Sequence, residues 1–471
     1  MASIVLAGYC MRFWALKVLE FQVNILPIQS EMMSFTIKSV LLLWLCYLAA
    51  GFAGFAGAQD APAEDDSLIV RQIVFAGNNK TKDAVLAREM KTKIGDRFDE
   101  QKIELDRKRI QNLQLFTRVE IQPMQTDAGI VLLVYVAERW YVFPYPILYY
   151  SERDWKKISY GAGLIHQNFR GRNINLTGSF WLGYNPGAEF FYSNPWIGGT
   201  KQLYSHFRIS ATEVRNKSTE FAPFDESHKG IGIGFGKRWG HHTYLGVSFG
   251  YSQLTVPDQF KAATVAKTGS DRLPSGSVSF RYDSRDLYEY PKNGWRFELY
   301  ATKTSYPGQL DYLRYGVDVR RYQPLIAGVS LAGRIAGDFG AGDTPVYSRA
   351  YLGYQERIRG HFNAHREGDN RAVASLELRF PILPVRYFNL GPENFPFGSY
   401  ADKLPVGISA GIFADTGAVW QKEEKVDKDL FLSGFGFGLH IHLPYVQVLR
   451  LEKGFDASGH SEYIADVGVW F

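Results

Sequence analysis

The sequence predicts an antiparallel transmembrane β-barrel of about 16 strands, preceded by one small α+β domain. Three observations predict it. From Trp140 onward, short segments alternate apolar residues with polar residues or Gly, as a strand does with one face to lipid and the other to a polar lumen. Beyond residue 58 no apolar run reaches the about 20 residues a spanning helix needs. Finally, Tyr463, Ala465, Val467, Val469 and Phe471 fall on one face of a closing strand, and the chain ends on the aromatic itself.

A chain of 471 residues exceeds one ordinary core, so two domains are expected. Gly (46), Phe (33) and Tyr (28) are plentiful and only 21% of residues are charged, which suits alternating strands better than solvated helices. The mean hydropathy of -0.19 is what a barrel shares with soluble proteins, because its lumen is polar. A formal charge of +5 is mild for this length and no Lys/Arg block stands out, so nucleic acid is not expected as a partner.

The first 58 residues read as a leader. Lys38 precedes the apolar run Val40 to Ala50, and Ala56-Gly57-Ala58 matches the small-x-small cleavage pattern of a secretory signal peptide. Residues 1–31 carry charges scattered among apolar residues, so translation is expected to start at Met32 or Met33. Both cysteines, Cys10 and Cys46, lie in this leader. The processed chain is therefore expected to contain no disulfide, thiolate metal site or Cys nucleophile.

A short linker over 59–67 leads into a unit expected over 68–139. Leu68 to Phe75 reads as a strand closed by Gly77-Asn78-Asn79. Thr81 can cap a helix carrying Val85, Leu86 and Met90, and Asp99 a second one with Ile103, Ile110 and Leu113 on one face. Two strands, Val119 to Pro123 and Ile130 to Val136, follow around the turn Asp127-Ala128-Gly129. This β-α-α-β-β order resembles a single POTRA domain, down to Gly77, Gly95 and the Leu113-x-x-Phe116-x-x-Val119 spacing.

From 140 to 471 the alternation stays constant, as in Gly232-Ile233-Gly234-Phe235-Gly236 and Gly434-Phe435-Gly436-Phe437-Gly438-Leu439. A secreted β-sandwich would have to repeat here without a linker, and none is visible. The segment allows about 16 strands at about 21 residues each, turns included.

Two short motifs carry the most chemistry. In Phe413-Ala414-Asp415-Thr416-Gly417, strand alternation puts Phe413, Asp415 and Gly417 on one side. A carboxylate is thus set between a ring and a gap without a side chain. That patch could receive the Arg359 guanidinium of Ile358-Arg359-Gly360-His361-Phe362, by a charge-assisted hydrogen bond and ring stacking.

On these residues the chain resembles the BamA/TamA superfamily of outer-membrane assembly proteins over about Leu68 to Phe471. Arg359-Gly360 with Phe362 looks like the (V/I)RG(F/Y) motif of the sixth extracellular loop. Phe413-x-Asp415-x-Gly417 looks like the strand motif that receives it in the lumen. Asn168 to Asn173 and Phe191 to Trp196 resemble early-barrel segments, and Asp283-Ser284-Arg285-Asp286 with Pro291-x-x-Gly294 a mid-barrel one. The closing residues Tyr463, Val467, Val469 and Phe471 are similar to the C-terminal targeting signal of bacterial outer-membrane barrels. Departures are His361 where an aromatic usually follows Arg-Gly, Leu352-Gly353-Tyr354 in place of an upstream Gly-Gly, and one POTRA-like domain where the essential bacterial protein has several.

The resemblance implies a Gram-negative outer-membrane location with the first domain in the periplasm. It also implies insertion of client proteins at a barrel seam that opens sideways. The partners implied are unfolded outer-membrane or secreted proteins, outer-membrane lipid, and accessory lipoproteins as further candidates. Translocation of a secreted partner is the alternative, and a passive porin or receptor barrel a third.

Enzyme chemistry is not expected. Gly246-x-Ser248-x-Gly250 and Gly407-x-Ser409-x-Gly411 match G-x-S-x-G, but both lie in alternating sequence rather than at a strand-to-helix turn. His440 and His442 share a strand face, and His241-His242 are adjacent, without a further ligand pattern. No metal or other cofactor is expected. Asp283 and Arg285 read as a strand-face salt bridge.

Overall fold

The computed structural model describes residues 68–150, 156–216, 218, 220–326, 328–353, 356–361, 364–388, 404–444 and 447–468. The expected leader and linker, and Phe362, Val469 and Phe471, lie outside the described residues.

The first unit runs β1 (Val70–Ala76), α1 (Asp83–Ala87), α2 (Glu100–Gln111), β2 (Phe116–Thr126) and β3 (Gly129–Glu138). Its sheet has the order β1-β3-β2, with β3 parallel to β1 and antiparallel to β2. Ile130, Leu132, Val134 and Val136 alternate onto one face of β3 and pack against Val85, Leu86, Met90, Ile103 and Ile110. Asp99 caps α2 as expected, its carboxylate accepting from the backbone of Gln101 at 2.9 Å and Lys102 at 3.1 Å. Thr81 does not cap α1. The N-cap is Lys82, without a side-chain bond, and Met90 packs from the turn beyond this short helix. The Thr81 hydroxyl is used across the domain junction instead, donating to Glu138 at 2.6 Å and meeting Tyr141 Oη at 2.9 Å.

The rest is one antiparallel sheet of 16 strands. They are β4 (Val142–Tyr150), β5 (Ile158–Phe169), β6 (Ile174–Gly183), β7 (Gly187–Ile197), β8 (Leu203–Arg215), β9 (Asp225–Trp239), β10 (Thr243–Thr255) and β11 (Ser270–Asp283). There follow β12 (Gly294–Tyr306), β13 (Leu310–Pro324), β14 (Ser330–Gly342), β17 (Asn370–Phe388), β18 (Leu404–Trp420), β19 (Leu432–Leu443), β20 (Gln447–Asp456) and β21 (Ser461–Val467). Two short strands, β15 (Ala350–Leu352) and β16 (Arg366–Gly368), pair as a ribbon inside the connection from β14 to β17. The barrel's end strands are β4 and β21, and among the described residues no ladder joins them.

Alternation explains why these sequences form barrel strands. In β19, Phe435, Phe437 and Leu439 face outward, Phe437 with 56% of its surface exposed, while Gly434, Gly436, Gly438 and buried His440 face the lumen. Such a ring of exposed large apolar side chains is what lipid contact requires. Among the described residues no helix is long and apolar enough to cross a membrane.

The first unit packs on turns at one end of the barrel. Lys82 donates its backbone N–H to Gly171 in the β5–β6 turn at 3.0 Å, and Asn168 Nδ2 donates to Thr81 Oγ1 at 2.8 Å. At the foot of β9, Arg238 grips Glu89 with two bonds of 3.1 and 2.8 Å. Asn112, which ends α2, donates to the Asp286 carbonyl at 3.0 Å and accepts from Tyr288 N at 2.9 Å in the β11–β12 turn. The connection bearing Arg359 therefore enters the barrel from the opposite end.

One expectation runs past the described residues and another needs correction. The closing strand is described through Val467, and Gly468 follows it at φ +90°. Its N–H donates to the Val448 carbonyl at 2.6 Å and its carbonyl accepts from Arg450 Nε at 2.7 Å. The outward face is thus described through Tyr463, Ala465 and Val467, with Tyr463 exposed and Val467 buried. The Asp283/Arg285 pair is not strand-face. Asp283 is the last residue of β11, and Arg285 folds back from the turn onto it with bonds of 2.9 and 2.8 Å.

Candidate functional site

The lumen is crossed by the β14–β17 connection, and Arg359 is its centre. Ile358, beside it, packs among Leu352, Val373 and Val419, which seats the backbone. Arg359 is fully buried, and its Nε and Nη2 donate to the two oxygens of Asp415 at 2.6 and 2.9 Å. Its guanidinium carbon lies 3.6 Å from the centre of the Phe413 ring. Gly417 supplies the gap: a Cβ there would come 2.9 Å from Ile358 Cδ1. The structure therefore brings Arg359, Phe413, Asp415 and Gly417 together as the alternation suggested.

Sequence reasoning missed the rest of the network. The third guanidinium nitrogen, Nη1, donates to Glu377 on β17 at 2.8 Å and to Glu452 on β20 at 3.1 Å. Glu377 also accepts from Arg379 at 2.6 Å, and Glu452 from Arg450 at 3.2 Å. Gly360, at φ +102°, donates its backbone N–H to Glu462 on β21 at 2.8 Å. On the other side Glu356 accepts two bonds from Arg334 on β14, at 2.7 and 2.9 Å, and Arg334 reaches Asp318 on β13 at 3.1 Å. One connection thus ties the wall from β13 to the last strand. The legible signal was Glu377-x-Arg379 and Arg450-x-Glu452, opposite charges two apart in otherwise apolar strands.

His361 makes its own contact, with Nε2 donating to the Ser433 carbonyl on β19 at 2.9 Å. Its departure from an aromatic thus still fastens the connection to the wall.

Burying these charges is tolerable because Asp415, Glu377, Glu452, Glu356 and Asp318 each meet a guanidinium, while Glu462 accepts the Gly360 N–H. Glu377, His440 and Glu452 also lie close enough to suggest a cation site, their donor atoms within 4.8 Å of one another. Arg359 Nη1 already sits between the two carboxylates, where a cation would have to stand, so the donor set fits a guanidinium rather than a metal. His440 Nδ1 is shared with Tyr290 Oη at 2.8 Å.

Tyr290 comes from the β11–β12 turn. Within that turn Asp286 Oδ1 accepts from the backbone of Leu287, Lys292 and Asn293, between 2.9 and 3.1 Å. Gly294, at φ +113°, would place a Cβ 2.3 Å from the Ser284 carbonyl. Asp283, Arg285, Asp286 and Gly294 are therefore builders of a turn that holds Asn112 outside the barrel and sends Tyr290 inside. The same turn touches the lock, since the Pro291 carbonyl accepts from Arg379 at 3.3 Å.

The Omp85 superfamily domain matches residues 168–460, more than half of the chain. The chain belongs to the Omp85 superfamily. A POTRA match, described as surface antigen variable number repeat, covers residues 68–139. Two curated relatives are named outer membrane protein assembly factor BamA. That of Nitratidesulfovibrio vulgaris is 23% identical over 83% of this chain and 50% of its own length. That of Neorickettsia risticii is 24% identical over 81% of this chain and 52% of its own. The chain thus spans about half the length of the curated relatives it matches.

Two solved structures share the fold. BamA from Haemophilus ducreyi lacking POTRA domains 1–3 aligns with TM-score 0.51 and 17% identity, covering 85% of this chain and 83% of that one. CdiB from Escherichia coli aligns with TM-score 0.55 and 13% identity, covering 86% and 76%. As an Omp85 protein the chain is a Gram-negative outer-membrane β-barrel with its POTRA domain in the periplasm. The β14–β17 connection is accordingly extracellular in origin.

Proposed function

We propose that this protein inserts other proteins into the outer membrane, its POTRA domain holding unfolded clients and its barrel admitting them at the seam between β4 and β21. The observation that carries this reading is the route of the β14–β17 connection. It crosses the lumen and is fastened by buried charge pairs from β13 to β20 and by the Gly360 N–H on Glu462 of β21, while the POTRA domain sits on the periplasmic mouth. A barrel obstructed in this way is poorly suited to a passive pore and leaves the wall as the working surface. The two curated relatives named as BamA assembly factors support the same reading.

The POTRA sheet order supports client holding. β2 is an edge strand, with Gln122 to Thr126 exposed beside a groove lined by Phe98, Ile103, Leu105, Ile121 and Pro123. An extended segment can add to that edge by main-chain hydrogen bonds while its side chains enter the groove. The test is insertion of a reporter barrel into proteoliposomes carrying the chain, with and without residues 68–138. Insertion that needs both the chain and its POTRA domain is expected. Passage of a secreted reporter into the vesicle lumen without barrel insertion would overturn the reading in favour of translocation.

A further inference from the structure

The strand at one side of the seam contains two prolines, Pro144 and Pro146, both on its outward face. Their direction within the sheet can be read from one hydrogen bond. Gln167 donates its N–H to the Tyr141 carbonyl at 2.7 Å, so Tyr141 and Gln167 are a hydrogen-bonded pair. The β4–β5 register carries on from Val142↔His166 without a break through Pro144↔Leu164 and Pro146↔Ala162. In an antiparallel ladder, bonded and non-bonded pairs alternate. Phe143 and Tyr145 therefore bond to β5, while the backbone groups of Val142, Pro144, Pro146 and Leu148 point the other way, to the seam.

Proline has no N–H to donate, and strands tolerate it only where that donor would face an unpaired edge. Both prolines fall on that parity, so the β5 ladder loses nothing. The seam edge of β4 does lose: two successive bonding positions keep their carbonyls and lack their donors. A strand lying against this edge can give its N–H groups to Pro144 and Pro146, but its own carbonyls opposite them receive nothing.

We propose that Pro144 and Pro146 make the seam edge of β4 an accepting but weakly donating surface, so that a strand seating on it pairs weakly and is exchangeable for an incoming β-segment. The partner it fits is an extended segment with free N–H groups and no need of donors in return at those two positions. The exchange half of this inference rests on the insertion reading above; the weakened edge does not.

The double variant Pro144→Val/Pro146→Val restores both donors in a residue that favours strands. Full-length protein is placed in proteoliposomes, and the temperature at which the compact gel band converts to the unfolded band is measured beside reporter-barrel insertion. The conversion temperature is expected to rise by a few degrees and insertion to fall several-fold. Losing proline alone would lower stability by loosening the unfolded chain, so a rise cannot come from that source. Each single variant should give part of the rise, which keeps the test sound if the double variant folds badly. An unchanged or lower temperature in all three overturns the weakened edge. A raised temperature with unchanged insertion overturns the exchange while leaving the edge assignment and the insertion reading standing; absence of insertion by the wild-type chain would instead overturn the insertion reading.

Discussion

A Cβ placed on Gly434 would lie 1.9 Å from the carbonyl oxygen of Arg359. The lock is therefore as much a matter of missing side chains as of charges. Gly454 does the same on the neighbouring strand, where a Cβ would fall 2.7 Å from Gly360 N. Gly434→Ala is expected to push the β14–β17 connection off the wall at about 1–3 kcal/mol, the usual range for overpacking. Gly276→Ala, with nothing within 4 Å, is the control that should leave the protein unchanged. Heat-modifiability on gels compares them, and equal behaviour of the two variants would count against the close approach.

Removing one partner of the lock should do more damage than the loss of its hydrogen bonds alone. Arg359→Ala would leave Asp415, Glu377 and Glu452 buried together without their shared guanidinium. Breaking a buried pair of this kind commonly costs about 3–5 kcal/mol. Asp415→Ala should cost less, since Arg359 keeps Glu377 and Glu452. Arg359→Lys keeps the charge but cannot fork onto Asp415, so it should fall between wild type and Arg359→Ala. Both alanine variants are expected to lower barrel stability or reporter insertion. Unchanged gel behaviour with unchanged insertion for both would refute this.

The barrel was legible because its strands obey a period of two throughout, and the side that Arg359 needs at Phe413, Asp415 and Gly417 follows from that period alone. Glu377, Glu452 and Glu462 were not legible as its partners. They lie on strands that meet Arg359 only through the path of a long connection, and sequence spacing carries no information about that path. The two-residue spacing of Asp283 and Arg285 suggests a shared strand face. A turn held by one carboxylate gives the same spacing, and only the backbone bonds to Asp286 distinguish them. Thr81 was legible as a hydroxyl just before a helix, but whether it caps that helix or serves a domain junction depends on Glu138 and Asn168 arriving from elsewhere.

Tyr290 joins the periplasmic turn to the lock through its hydroxyl at His440 and its ring beneath Arg379, whose guanidinium carbon lies 4.9 Å from the ring centre. Tyr290→Phe keeps the ring and removes the hydroxyl, leaving buried His440 Nδ1 short of a partner. A loss of about 1–3 kcal/mol is expected. Tyr290→Ala should lose the stacking as well. If Tyr290→Phe matches wild type in thermal conversion, the hydroxyl bond contributes nothing.

Docking of the POTRA domain on the barrel should weaken in acid, and the groups involved fix the window. Glu89 is buried between Arg238, Arg88 and His241. Burial alone would push its carboxyl up, but Arg238, helped by Arg88, holds it below the ordinary value of 4.5. Burial pushes the His241 imidazole down to about 4, with Arg109 and Arg238 adding to the effect and Glu89 opposing it. Both groups thus have lower values docked than free. Each supports docking fully above its free value and loses that support as pH falls through its docked value. His241 begins to oppose docking below about 6.5, its ordinary value, and Glu89 only below about 4.5. Spin labels at exposed Glu100 in α2 and Lys292 in the β11–β12 turn should report one short distance at pH 7 and a broadening distribution as pH falls to 4. His241→Asn should remove the upper part of that response, and Glu89→Gln should broaden the distribution already at pH 7 by breaking the fork to Arg238. A distribution that stays narrow from pH 7 to 4 in wild type would show that neither group governs the docked arrangement.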